Sequence, residues 1–249
     1  MKINIKKTMQ MIMKKSFTIL MVVMLFASLT TLKAQKANSK YLDSLKKELR
    51  VAWPKHRTIN LVFHGHSVPT GSLTKGVTDR LNSYPYLTLK KVNDAYPYSV
   101  VNTITTSIGG EQSEQGAKRM QEDVFVHKPD VLFIDYALND RSIGLDRAKV
   151  AWEKMIEEAL AYGTKVILLT PTPDLREDIS SETADLAKYS EQIRELSAKY
   201  KVGLVDSYAL FKSLAKTEHL PGFMAQNNHV NQKGHQLVAD AIFDAYFNY

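Results

Sequence analysis

Five short apolar runs alternate with longer segments that each carry a single apolar stripe, and this alternation leaves few architectures open. The runs are Ile59–Phe63, Ser99–Thr105, Val131–Asp135, Lys165–Thr170 and Val202–Asp206. They are rich in β-branched and apolar residues, as strands buried on both faces must be. Between and after them, Ala148, Ala151, Trp152, Met155, Ile156, Ala159 and Leu160 recur at helical spacing, as do Leu237, Val238, Ala241, Ile242, Ala245 and Tyr246. Leu186, Tyr189, Ile193 and Leu196 mark a helix over Thr183–Tyr200, and another is predicted over Gln115–Val126. Strands separated by crossover helices pair in parallel, because a tight turn cannot reverse the chain into a parallel neighbour. The expectation is an α/β fold: one domain built on an open, doubly wound, five-stranded parallel sheet.

The domain does not start at residue 1. Lys2, Lys6, Lys7, Lys14 and Lys15 form a basic head, Phe17–Leu32 is largely apolar and uncharged, and Leu32-Lys33-Ala34 ends in a small residue. That is the pattern of a cleaved export signal, and the apolar stretch is short for a membrane span. The expected division is a signal peptide over 1–34, a polar lead-in over 35–57 with a short helix near Tyr41–Arg50, and the folded domain over 58–249. Export to the periplasm or medium follows, with no stable membrane insertion after cleavage.

Charge and cysteine content narrow the partners. The chain carries 33 Lys and Arg against 26 Asp and Glu, a formal net charge of +7. Six of those lysines lie within residues 1–34, which hold no acid, so the remainder is close to neutral. A near-neutral surface calls for neither nucleic acid nor an anionic membrane. With no cysteine present, disulfides and attachment of lipid through a cysteine are excluded, and stability must come from the core.

In an open α/β sheet, ligands bind beyond the carboxyl ends of the strands, at the switch point. Gly65-His66-Ser67 follows the first run, Ser107-Ile108-Gly109-Gly110-Glu111 the second, and Tyr136-Ala137-Leu138-Asn139-Asp140 the third. Beyond the fifth, past a short helix, comes Asn228-His229-Val230-Asn231-Gln232-Lys233-Gly234-His235. A nucleophile, a glycine turn, an amide side chain and an imidazole therefore fall on one rim. Acyl transfer needs that set: a nucleophile, a general base and donors for the oxyanion. Singly each has an ordinary reading, since strand-end serines serve as turn residues and Asn-Asp as a helix cap.

The four blocks together resemble the SGNH (GDSL-type) hydrolases over about residues 58–245, which implies a flavodoxin-like three-layer sandwich and a carbohydrate esterase-like activity. Ser67 matches the family's nucleophile and Gly110 the second-block glycine. Asn139 matches the asparagine of G-x-N-D, and His229 the histidine of H-x-N-x-x-G-H. The resemblance implies an acyl-enzyme mechanism with Ser67 as nucleophile and His229 as base. The oxyanion hole is then Ser67 N–H, Gly110 N–H and the Asn139 amide. No cofactor or metal is expected. The expected substrate is a small-molecule or polysaccharide ester, with O-acetyl groups on glycans foremost, reached through polar loops over Pro69–Tyr86 and Pro171–Glu177.

Three positions depart from the pattern. His66 stands where the family has aspartate, Ala137 where it has glycine, and Gln226 where the orienting aspartate three residues before the histidine belongs. Gln226 Oε1 is the expected acceptor for His229 Nδ1–H, with Asp206 or a loop carboxylate as the alternative. His66 and His235 are expected to be structural. Competing readings are a catalytically impaired glycan-binding module on the same fold, a lysophospholipase- or thioesterase-type acylhydrolase, and a zinc site built from His64, His66, His229 and His235. No H-E-x-x-H run supports the last. Gly65-His66-Ser67-Val68-Pro69 also lacks the second glycine of the G-x-S-x-G elbow of α/β-hydrolases.

Overall fold

The computed structural model describes residues 40–74 and 76–248; the expected signal peptide over 1–34 and the start of the expected lead-in lie outside them. Along the chain the elements are α1 (Asp43–Glu48), β1 (Thr58–Gly65), α2 (Ser67–Thr70), α3 (Tyr84–Ala95), β2 (Val100–Thr105), α4 (Ser113–Lys118) and β3 (Val131–Asp135). There follow α5 (Ala137–Asp140), α6 (Leu145–Tyr162), β4 (Lys165–Leu169), α7 (Asp185–Tyr200), β5 (Gly203–Val205), α8 (Ser207–Leu214), β6 (Met224–Gln226), β7 (His229–Val230) and α9 (Gln232–Tyr246). The five long-range strands form one parallel sheet in the order β2-β1-β3-β4-β5. This is the expected doubly wound α/β sheet, and its direction reverses between β1 and β3.

Strand alternation sorts the core into two layers. Ile59, Leu61 and Phe63 of β1 and Val131 and Phe133 of β3 face one side, where α1, α3 and α9 cover them. Val62, Leu132 and Ile134 face the other, against α4, α6 and part of α7. Phe63 stacks flat on Phe133 with centroids 4.2 Å apart, so a single dispersion-rich pair lies directly behind the strand ends that meet at the switch point. The segment before β1 joins the same core: Leu42, Leu45 and Leu49 are fully or nearly buried.

Three local differences from the sequence expectation have physical causes. Strand β1 runs two residues past Phe63 because the buried His64 finds partners in Thr106, the Gly116 carbonyl and Tyr136. The predicted Gln115–Val126 helix begins earlier, at a Gln112/Gln115 capping box, and breaks at Arg119 into a wide turn and a 3₁₀ turn. Helix α3 goes unmarked in the sequence because its inward stripe is Tyr84, Thr88 and Val92. Thr88 hides the apolar period, although it sits buried with its hydroxyl bonded to the Tyr84 carbonyl.

Candidate active site

The end of β1 is built for close approach. A Cβ on Gly65 would lie 2.4 Å from the Asp135 carbonyl oxygen, so only glycine lets β1 and β3 pair to their last residues. His66 N–H then donates to that carbonyl at 3.2 Å. Its ring Nδ1 accepts the Val68 N–H at 3.2 Å, capping the one-turn helix α2. Ser67 is the first residue of that helix, so its own N–H has no intrahelical acceptor. Its hydroxyl lies 2.6 Å from His229 Nε2, close enough to donate to it.

His229 arrives from far away in sequence on a short antiparallel hairpin of β6 and β7. Asn231 caps α9 by accepting the Lys233 and Gly234 N–H groups, which accounts for the asparagine of the last block. The connection between β6 and β7 is held by Leu175 N–H, which donates to the Asn227 carbonyl at 2.7 Å. The Gln226 side chain reaches His229 Nδ1 as expected, but the atom in contact is the amide nitrogen Nε2, a donor, rather than Oε1. A base at Nε2 requires the proton on Nδ1, which Gln226 Oε1 accepts only once the amide is turned over; as placed, Nε2 donates to Nδ1 and leaves the ring proton on His229 Nε2. Burial lowers the His229 pKa below the usual 6.5, and His66 nearby adds to that.

The alternative orienter named from sequence lies elsewhere. Asp206 accepts from Arg194, Thr170 and Ala209 N–H and caps α8. Asp174, buried in the loop after β4, is held by Arg141 and Arg176. Its burial would raise the carboxyl pKa, yet those hydrogen bonds win and push it down to about 2.

The oxyanion side is fixed by buried polar ties. Ile108 N–H donates to the Gly65 carbonyl at 3.0 Å, laying the loop after β2 across the end of β1. Gly110 has φ of +80°, a left-handed conformation open to glycine. Asn139 Nδ2 donates to the Glu111 carbonyl at 2.9 Å, which leaves its second hydrogen for another acceptor. Among the described residues, neither Ser67 N–H nor Gly110 N–H donates to a protein acceptor. Below them, the Glu111 carboxylate takes a two-point contact from Arg119 and a 2.9 Å bond from Tyr136. Asp140 accepts from Ser113 N–H and Trp152 Nε1, both at 2.7 Å. It ties α4, α5 and α6 together and caps the start of α4 rather than its own helix.

The remaining sequence-marked residues also have places. His235 Nδ1 accepts the Tyr84 N–H at 3.3 Å, so it caps α3 rather than its own helix. Tyr84 is buried in the core, which removes it from the substrate loops expected over Pro69–Tyr86. Among the described residues no three His, Asp or Glu side chains converge as metal ligands. Glu111, Arg119, Asp135 and Tyr84 went unmarked in the sequence. The position of Glu111 beside Gly110, and of Asp135 as the one charge closing an apolar strand, were the signals available.

Comparison with known proteins gives a consistent picture. The model of the GDSL-like lipase/acylhydrolase family matches residues 71–237, a span that takes in Gly110, Asn139 and His229 and starts four residues after Ser67. An acetylxylan esterase of Geobacillus stearothermophilus is 22% identical over 161 residues, 59% of this chain and 73% of its own length. The uncharacterised lipoprotein YqeF of Bacillus subtilis is 25% identical over 177 residues, covering 58% and 73%. In structure, an acetylxylan esterase from Geobacillus stearothermophilus superposes with a TM-score of 0.65 at 20% identity, over 74% of this chain and 92% of that one. A two-domain esterase active on acetylated mannans gives 0.68 at 19% identity, over 81% and 51%.

Proposed function

Because this chain belongs to the GDSL-like lipase/acylhydrolase family and is a serine ester hydrolase, we propose that it is an exported esterase removing O-acetyl groups from glycans. The observation that carries the mechanism is the 2.6 Å contact between Ser67 Oγ and His229 Nε2. Ser67 Oγ attacks the ester carbonyl while His229 Nε2 takes its proton. The carbonyl oxygen becomes an oxyanion held by the N–H groups of Ser67 and Gly110 and by Asn139 Nδ2. The bond to the sugar oxygen breaks, and His229 returns the proton to that oxygen. Water, deprotonated by His229, then attacks the acetyl-Ser67 carbonyl; the bond to Ser67 Oγ breaks, His229 returns the proton to Oγ, and acetate leaves.

With its amide turned so that Oε1 replaces Nε2 at the ring, Gln226 holds the Nδ1 proton through these steps without supplying the negative charge that an aspartate gives the imidazolium. Choice of acetyl and glycan rests on the open rim and on the relatives. Gly109, Gly110 and Asn227 are exposed around Ser67, leaving room for a polymer chain. Relatives named above act on acetylated xylan and acetylated mannan. Export rests on the residue pattern of 1–34.

The test is acetate release from acetylated xylan and mannan, beside p-nitrophenyl esters of increasing chain length, with Ser67→Ala and a fluorophosphonate label read by intact mass. Acetate esters should be preferred and the label should require Ser67. Faster cleavage of long-chain esters would instead assign a lipid or thioester acylhydrolase. The replacement of the orienting aspartate by Gln226 favours one second reading, an impaired enzyme that binds glycan. Retained glycan affinity in Ser67→Ala with no turnover or labelling of the wild type would select it.

A further inference from the structure

Beneath the nucleophile lies a buried polar chain that the mechanism does not use. His66 and Asp135 are 1% and 3% exposed. The His66 ring has a defined sense: Nδ1 accepts Val68 N–H, so the ring proton sits on Nε2. That nitrogen lies 3.3 Å from Asp135 Oδ1. The neutral ring thus faces the carboxylate at close range, although the geometry falls short of a hydrogen bond and neither atom has another hydrogen-bond partner. The second oxygen, Asp135 Oδ2, accepts the Tyr84 hydroxyl at 2.9 Å. Tyr84 N–H in turn donates to His235 at the start of α9. The chain thus runs from the turn carrying Ser67, through His66, Asp135 and Tyr84, to the helix that follows His229.

We propose that His66 is a positioning residue for the nucleophile, and that His66 and Asp135 form a matched pair replacing the aspartate of the family's first block; this rests on the esterase reading above. An aspartate at position 66 could accept Val68 N–H, as His66 Nδ1 does. Here, however, the strand beneath already ends in a buried carboxylate. A second carboxylate in that space would face Asp135 with no proton between them, and like charges at close range in a buried site repel strongly. Histidine resolves the conflict because one ring atom accepts from the backbone and the other presents a proton to Asp135. The pair fixes the direction of the Ser67 N–H and hydroxyl, both of which follow directly from the cap residue.

The experiment is a cycle of wild type, His66→Asp, Asp135→Asn and the double variant. It is read by kcat and KM on p-nitrophenyl acetate, the rate of fluorophosphonate labelling, and thermal midpoints. His66→Asp should lower kcat and labelling ~10²-fold with KM little changed, as misplacement of a reacting group by about 1 Å does. Adding Asp135→Asn should restore at least ~10-fold, because one carboxylate is then neutral. A His66→Asp enzyme as fast as wild type, or a double variant no better than it, overturns the proposal.

If His66→Asp does not fold, His66→Asn and His66→Leu decide instead. Asparagine keeps one acceptor and one donor and should retain most of kcat, whereas leucine keeps only bulk and should lose it. Equal rates in the two would overturn the proposal. If the wild type neither turns over nor labels, the esterase reading has failed, and the midpoints still judge the pair. Non-additive midpoints support it, and additive ones remove it.

Discussion

The two halves of the candidate site are built to different standards. Ser67, Gly110 and Asn139 stand on the ends of three adjacent core strands, and the side chains beneath them are tied in buried networks: Glu111 to Arg119 and Tyr136, and Asp140 to Ser113 and Trp152. His229 stands on a two-residue strand of a small hairpin, with Gln226 beside Nδ1 and a loop carbonyl bonded to Leu175. On the proposed mechanism, the donors that meet the developing charge are fixed in advance by buried contacts, which is where preorganisation is worth most. Where the proton would move, the ring meets only an amide. Substitutions in the first half should therefore cost more than substitutions in the second.

The largest effect is expected at Ser67→Ala, with turnover down roughly 10³-fold or more and fluorophosphonate labelling abolished. Asn139→Ala should follow, with kcat lower by roughly 10²–10³ and KM nearly unchanged, as for loss of one oxyanion donor. Steady-state kinetics on p-nitrophenyl acetate would check both, and equal costs at Asn139 and Gln226 would break the contrast between the halves. Arg119→Leu leaves the 6%-exposed Glu111 without its charge partner. Urea unfolding should show a loss of about 3 kcal/mol, together with a fall in kcat as the Glu111 carbonyl no longer holds Asn139.

Acid sensitivity should also be concentrated in the core beneath the site. Burial pushes the pKa values of His64 and His235 down to about 4, against 6.5 in the unfolded chain. The unfolded state therefore takes up these protons first. The stability is fully present above pH 6.5 and lost as pH falls towards 4, by up to about 3 kcal/mol for each histidine. Urea midpoints at pH 7, 5.5 and 4.5 would measure it. A flat profile across that window would contradict the burial of both rings.

The smallest changes are expected at Gln226. Gln226→Asp should preserve or raise kcat, and Gln226→Ala should lower it by about 10-fold or less, well short of the ~10⁴-fold cost of losing a triad aspartate. In the wild type the acid limb of kcat/KM should fall below pH 6.5, because burial and His66 lower the His229 pKa. Gln226→Asp should move that limb upward, since a carboxylate beside the ring favours imidazolium. Unchanged rates and limb in both variants would place the orienter outside Gln226.

Sequence by itself determined the class of fold and the four positions on its rim. Parallel strands buried on both faces must be apolar throughout, so β1, β3 and β4 show plainly, while the edge strand β2, with no fully buried residue, shows only by its β-branched residues; ligands collect at the carboxyl ends whatever the chemistry. The polar framework was not legible in the same way. Tyr84 and Asp135 lie 51 residues apart along the chain, Glu111 and Arg119 sit eight apart across a helix that breaks between turns, and charged and hydroxyl side chains buried in pairs have no periodicity to betray them. Helix α3 escaped for the same reason, since Thr88 is buried by a hydrogen bond rather than by apolar character. Nor could the sequence decide that His235 caps another helix, or that Asp206 serves Arg194 and α8. Those choices depend on which backbone N–H and which charge the fold brings within about 3 Å, and only the tertiary structure sets that distance.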